Sequence, residues 1–207
     1  MKKLFLTIAL AVAAAFGANA QVGISAGYSH DVWSVGLFDD MGYYFRSQGF
    51  HVGINYSLPV LGNLKFAPGI TFTSVSEDKV MGENISGTIS YVSVPLNLEA
   101  SQEIFSGINA FVFAGPGLRY MLSAKADVGG EDWDLYEDST GGTHFLDNRF
   151  DVTLGFGFGL EMAGIRAFAG FNGGLLDLAS KDMKDTIEDF SVHGKSFQFG
   201  LGYVYNF

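Results

Sequence analysis

Phe197-Gln198-Phe199-Gly200-Leu201-Gly202-Tyr203-Val204-Tyr205-Asn206-Phe207 closes the chain. Odd positions carry Phe, Leu and Tyr, and even positions carry Gln, Gly, Val and Asn. Apolar side chains at a period of two mark a strand with one apolar face. In water, a face with five aromatic rings needs a core to cover it. In lipid it needs no cover.

The opposite end agrees. Lys2 and Lys3 precede an apolar run from Leu4 to Phe16, and Ala18-Asn19-Ala20 follows as a small-x-small site. This order predicts a cleaved secretory signal peptide over 1–20 and a mature domain over 21–207. The run is too short for a membrane-crossing helix, which needs about 20 apolar residues. No Cys occurs in the chain, which excludes disulfides, thiolate metal sites and a lipid anchor on Cys.

No second long apolar run follows, so an inner-membrane helical protein is excluded. The formal charge of −10 becomes −12 once Lys2 and Lys3 leave. So acidic a chain repels phosphate, which argues against nucleic acid as a partner.

Seven further segments read with period two. They begin at Val22, Phe50, Leu64, Tyr91, Ile108, Phe150 and Ile165, and most place apolar residues on one face and Gly, Ser, Thr or Asn on the other. The segment from Ile108 to Ala124 departs from the rule, because Phe111 and Phe113 are odd while Leu118, Tyr120 and Leu122 are even. A bulge at Gly115-Pro116-Gly117 is expected there, placing both apolar groups outside and Arg119 inside.

The connections alternate in length. Three are short, at Pro59–Asn63, Ser101–Gly107 and Ala163-Gly164, and four are long, at 30–49, 74–87, 125–148 and 174–196. Eighteen of the 22 acidic residues lie in the long ones. The pattern predicts an eight-stranded antiparallel transmembrane up-and-down β-barrel in the outer membrane, with both termini and the short turns periplasmic and the long loops extracellular. A soluble barrel would invert the faces and carry more charge on its wall.

The signal peptide, Tyr91-Val92-Ser93-Val94-Pro95-Leu96-Asn97-Leu98, Ala114-Gly115-Pro116-Gly117 and the terminal Phe207 resemble the small outer-membrane β-barrels of porin-family or PorT-like type, common in Bacteroidota-type bacteria and similar to OmpX and the OmpA barrel. The resemblance implies a fold and a membrane address. It specifies no substrate, and it leaves open a plugged barrel, a narrow channel or a role in secretion. It also implies that Tyr203, Tyr205 and Phe207 in the last strand are read by the barrel-assembly machinery.

Within the lumen the best-defined pair is Glu161 and Arg166, which face each other if Ala163-Gly164 is a two-residue turn. Glu99 is placed to join them, and Arg119 and Asp151 lie higher on neighbouring strands. These five are read as a paired ionic network that plugs the lumen, since charges in so narrow a space need partners. An ion path is the alternative. His30, His51, His144 and His193 fall on the outer half, where a lipid-modifying enzyme would place them. Ser29-His30-Asp31 cannot form a triad as strand neighbours, and no G-x-S-x-G motif occurs. No catalytic residue, metal ligand or cofactor is therefore assigned.

The third long loop carries Asp127, Glu131, Asp132, Asp134, Glu137, Asp138 and Asp147. It matches no EF-hand and reads as a solvated loop that repels anionic lipopolysaccharide or is bridged to it by divalent cations. Aromatics among the acids make Trp33, Tyr43, Tyr44, Trp133 and Tyr136 candidates for docking a protein partner. The function expected is structural or in surface binding, by a monomer surrounded by outer-membrane lipid and lipopolysaccharide.

Overall fold

Short polar turns between amphipathic strands leave the backbone one way to pair all its N–H and C=O groups away from water, which is a ladder closed on itself. The computed structural model describes residues 21–37, 41–77, 85–128, 131–136, 145–187 and 190–206. The strands are β1 (Gln21–Leu37), β2 (Met41–Leu61), β3 (Leu64–Glu77), β4 (Ile85–Phe105), β5 (Ile108–Val128), β6 (Glu131–Asp134), β7 (Phe150–Met162), β8 (Ile165–Gly174) and β9 (Ser191–Asn206), with a short helix α1 (Lys181–Thr186) before β9. Hydrogen bonding runs β4-β3-β2-β1-β9-β8-β7-β5, and β4 pairs with β5 to close the ring. Eight antiparallel strands thus form a barrel, and β6 folds back on β5 outside it.

Three tight hairpins lie at one end, between Leu61 and Leu64, Phe105 and Ile108, and Met162 and Ile165. In the last, Ala163 and Gly164 both take positive φ, 52° and 81°, the geometry whose twist matches its flanking strands. The long connections lie at the other end. The expected signal peptide, His144 and Phe207 fall outside the described residues.

Side chains sort as the alternation requires. Ile24, Ile54, Ile70, Leu154, Phe158 and Leu201 face outward and are each more than half exposed. Left in water, each would forgo about 1.5–3 kcal/mol of transfer energy, so this wall is stable in apolar surroundings. Inward positions carry Ser29, Asp31, His51, Thr73, Glu99, Arg119, Asp151 and Arg166, all buried.

The expected bulge at Gly115-Pro116-Gly117 is absent. β5 runs through it in constant register with β7, pairing Pro116 with Leu154, and no shift occurs there against β4. Phe111 and Phe113 therefore point into the lumen. Space for them comes from β7, because Phe111 pairs with Gly159 and Phe113 with Gly157. A Cβ at either glycine would collide with the facing ring. The register shift on β5 lies further on, at Leu122, between the pairs Tyr91↔Met121 and Ser90↔Ser123. It turns both Met121 and Ala124 inward, where they are buried.

The strands also overrun the expected boundaries. β2, β4 and β5 are 21 residues long, about twice the 9–11 that cross a bilayer at a tilt. Much of the connection expected over 30–49 is ladder, paired up to Leu37↔Met41. Beyond the apolar wall the inner face changes character. Trp33, Tyr91, Met121, Ala124 and Val192 from the strands meet Leu146, Leu178, Ala179 and Phe190 from the connections in one buried apolar cluster. The barrel therefore carries, at its loop end, a core of the kind found in water-soluble proteins.

Candidate functional site

The lumen holds two ionic layers with aromatic rings and a small cavity between them. At the turn end, the hairpin register sets Glu161 opposite Arg166. The Arg166 guanidinium reaches Glu99 at 2.7 Å and Glu161 at 3.4 Å. It also lies 3.7 Å from the Phe111 ring centre, a cation on an aromatic face. Four strands, β4, β5, β7 and β8, thus place one cation between two carboxylates over a ring seated on glycine.

At the loop end, Asp31 and Ser29 lie on the same face of β1, and the Ser29 hydroxyl donates to Asp31 Oδ1 at 2.9 Å. The Tyr91 hydroxyl donates to Asp31 Oδ2 at 2.8 Å, and Ser29 and Ser196 hydroxyls are 3.1 Å apart. Arg119 lies over the Tyr91 ring at 4.8 Å with Asp151 at 3.7 Å from its Nη1. Asp151 has a second task, since its Oδ1 accepts from the amides of Leu175 and Leu176, at 3.2 and 3.0 Å. The upper ionic layer is therefore tied to the connection that closes the barrel.

Between the layers, His51 packs beside Phe168, with ring centres 5.8 Å apart. A cavity of about 140 Å³ runs past His51, Asn55, Ser93, Phe113 and Gln198 from Arg119 to Arg166. Its size and polar lining suit water. His51 is thus a lumen residue, buried on all sides, and not a solvated loop histidine. Neither of its ring nitrogens has a protein partner. Catalysis by a hydroxyl nucleophile needs a base within hydrogen-bond reach. Among the described residues no Ser or Thr hydroxyl bonds to a histidine ring, and His30 sits on the outward face of β1, between Ser29 and Asp31 on the inward one. No group of three metal-ligating side chains occurs among the described residues either.

The cap above the lumen is a folded unit. Asp177 accepts from the amides of Val192 and Ala179 at 2.8 and 3.0 Å and pairs with Lys184 at 2.7 Å. Partial burial raises its pKa, but the bond from Lys184 and the two amides outweigh this and hold the carboxyl below its ordinary range. Ser180 caps α1 by accepting from the Met183 amide. Leu146 bridges to Ala179. Arg149 stacks on Tyr136 at 4.0 Å; burial pushes the Tyr136 phenol up, against the opposing pull of that guanidinium.

Of the aromatic docking candidates, Trp33 is corrected to a core residue, 5% exposed, because β1 continues inward past Asp31 and buries it in the cap. Trp133 and Tyr136 are half-buried, and Tyr136 packs against the same cluster. Tyr44 stands free on the outer wall at 66% exposure. Tyr43 pairs with Val35 in the ladder, and its side chain lies outside the described residues. Tyr203 and Tyr205 face outward on β9. The residues that the sequence reading missed are Tyr91, Asp31, Ser196 and the cap leucines. Buried Tyr91, alone among the inward residues of its strand in being large and aromatic, was the available signal.

No protein-family model matches the chain, and no curated protein does. Solved structures similar to it include the attachment invasion locus protein Ail of Yersinia pestis (17% identity, covering 90% of this chain and 99% of that one, TM-score 0.44). Neisserial surface protein A is similar at 16% identity, covering 88% and 96%, with a TM-score of 0.46. The outer membrane protease OmpT of Escherichia coli is similar at 8%, covering 91% and 97%, with a TM-score of 0.47. Likeness at this level assigns no role, and one of the three is a protease by name. The ring of eight strands rests on this chain's own pairings.

Proposed function

We propose that the chain is a plugged outer-membrane β-barrel without enzyme activity, serving in envelope structure or in binding at the cell surface through its folded cap. One observation carries the reading: an outward wall of exposed apolar residues surrounds a lumen that holds Arg166 between Glu99 and Glu161 and Arg119 beside Asp151, under an apolar lid. The wall suits lipid, and charged side chains narrow the lumen at both ends of its cavity. In this reading the tight hairpins and both termini face the periplasm, the cap faces outward, and Tyr203 and Tyr205 on the last strand engage the assembly machinery. Acidic aromatic loops around Trp133 and Tyr136 then form the surface offered to a protein partner, and a role beside a secretion machine, as in PorT-like barrels, fits the same surface.

The test is conductance in planar bilayers. The purified barrel is expected to give no steps above background, and Glu161→Gln and Arg166→Ala are expected to stay silent while the cap is intact. Steady steps in the wild type that change with either substitution would overturn the plug in favour of a narrow channel.

A further inference from the structure

The outward face of β2, β1 and β9 is ordered in rows. Cross-strand pairing sets Phe50, Tyr28 and Phe199 side by side, then Gln48, His30 and Phe197, then Arg46, Val32 and Lys195, then Tyr44, Ser34 and His193. The sequence along the wall is therefore aromatic, mixed, cationic and polar. Toward the turn end the same three strands show Ile54, Ile24 and Tyr203, then Tyr56, Val22 and Tyr205, with no charge. The cationic row occurs at one end of the apolar wall only.

Depth fits charge. Each row rises two residues, about 7 Å along the strand, or about 5 Å in height at a barrel tilt near 40°. Arg46 and Lys195 thus stand about 10 Å above Phe50 and Phe199 of their own strands, and the same tilt offsets the two cations from each other by about 6 Å in height. A bilayer's headgroup zone is about 5–8 Å deep on each side. With the aromatic row at the hydrocarbon boundary, both cations reach the phosphate level by bending their stems down. Their backbones are two strand spacings apart, about 10 Å, with only Val32 between them.

The setting makes this row unusual. The chain holds 22 acidic and 12 basic residues, yet these rows contain no acid. Beside the row, Glu77 Oε2 accepts from the Arg46 amide at 3.0 Å and so engages the backbone. Arg46 and Lys195 are exposed, and neither side chain forms an ion pair with a described residue. On the opposite wall Arg149 is committed to the Leu122 carbonyl and the Tyr136 ring.

We infer that the β2-β1-β9 face is a binding site for a phosphorylated lipid of the outer leaflet, with its phosphate between Arg46 and Lys195 and its acyl chains along Phe50, Tyr28 and Phe199. Charge-assisted bonds from Arg46 and Lys195 supply selectivity for phosphate, and the aromatic rows supply a surface for the chains. His30 and Tyr44 flank the headgroup from below and above. The inference rests on the membrane reading and names the lipid class that this face selects.

The experiment uses the full barrel in an uncharged detergent, with bis-phosphorylated lipid A or its dephosphorylated form added and bound lipid counted by native mass spectrometry. The wild type is expected to retain the phosphorylated lipid at least ten-fold better than the other. Arg46→Gln/Lys195→Gln is expected to lose that preference, Arg46→Lys to keep most of it, and Lys181→Gln on the cap to keep all of it. Equal retention of both lipids by the wild type, or an unchanged preference in the Arg46→Gln/Lys195→Gln variant, overturns the site. Heat-shifted gel mobility in the same samples confirms that each barrel is folded. Insertion into phosphatidylcholine vesicles separates the two ideas: a barrel that inserts without phosphate preference loses only this site, whereas one that fails to insert loses the membrane reading.

Discussion

Replacing Arg166 by Met leaves two carboxylates without their cation. Glu99 lies 2.7 Å from that guanidinium, with its side chain 6% exposed, so it has little water to fall back on. Breaking a buried pair by removing one partner costs about 3–5 kcal/mol. Glu161 is 19% exposed at the lumen end, so water compensates it in part, and about 3 kcal/mol is the expected loss. The lost stacking on Phe111 adds about 0.5–1 kcal/mol. In Arg166→Met/Glu99→Gln the more deeply buried charge is gone as well, and about 2 kcal/mol should return. The stacking contribution cancels in the double-mutant cycle, which isolates the coupling. The assay is urea unfolding from detergent micelles, read by heat-shifted gel mobility under conditions where unfolding and refolding curves coincide. A coupling below about 0.5 kcal/mol would refute the reasoning, since it would mean that water screens the pair and the lumen is wet at that level.

Two further outcomes concern the cap. Leu178 is fully buried, so Leu178→Ala should destabilise the cap by about 2–5 kcal/mol, seen as faster proteolysis within 175–190 while the barrel keeps its folded gel mobility. Asp177 has a folded-state pKa below its ordinary value of 3.8, so its contribution is full above that value and is lost as pH falls through the lower, folded one. Cap protection against an acid-active protease should therefore drop below about pH 4, and Asp177→Asn, weakened at neutral pH, should show a flatter acid transition.

Most of the wall was legible because alternation is local: one strand's sequence states which face is apolar. The same holds for the Glu161 and Arg166 register, which a two-residue turn determines. β5 was misread because its parity is decided elsewhere. Two Phe rings enter the lumen only if the neighbouring strand supplies Gly157 and Gly159 at the matching positions, and that pairing is invisible from β5 alone. The cap was missed for a related reason. Trp33 shares its parity with Ser29 and Asp31, so nothing local marks the point where the inner face turns from polar to apolar. Leu178 and Phe190 sit in a connection with no period at all. Their burial follows from what the closed ring brings above the lumen.

That lid has a bearing on how the molecule reaches its place. Its buried members come from β1, β4, β5 and β9 and from two connections, so it has no core until the first and last strands have met. With the cap on the outer side, as proposed above, the connections would cross the bilayer as unfolded chain and condense on the far side. Once Leu178 and Phe190 are packed and Asp151 holds the Leu175 and Leu176 amides, moving back would require dismantling a soluble-type core at the edge of an apolar layer. In that orientation, burial on one side of the membrane acts as a latch, giving direction to a crossing that the apolar wall by itself does not lock.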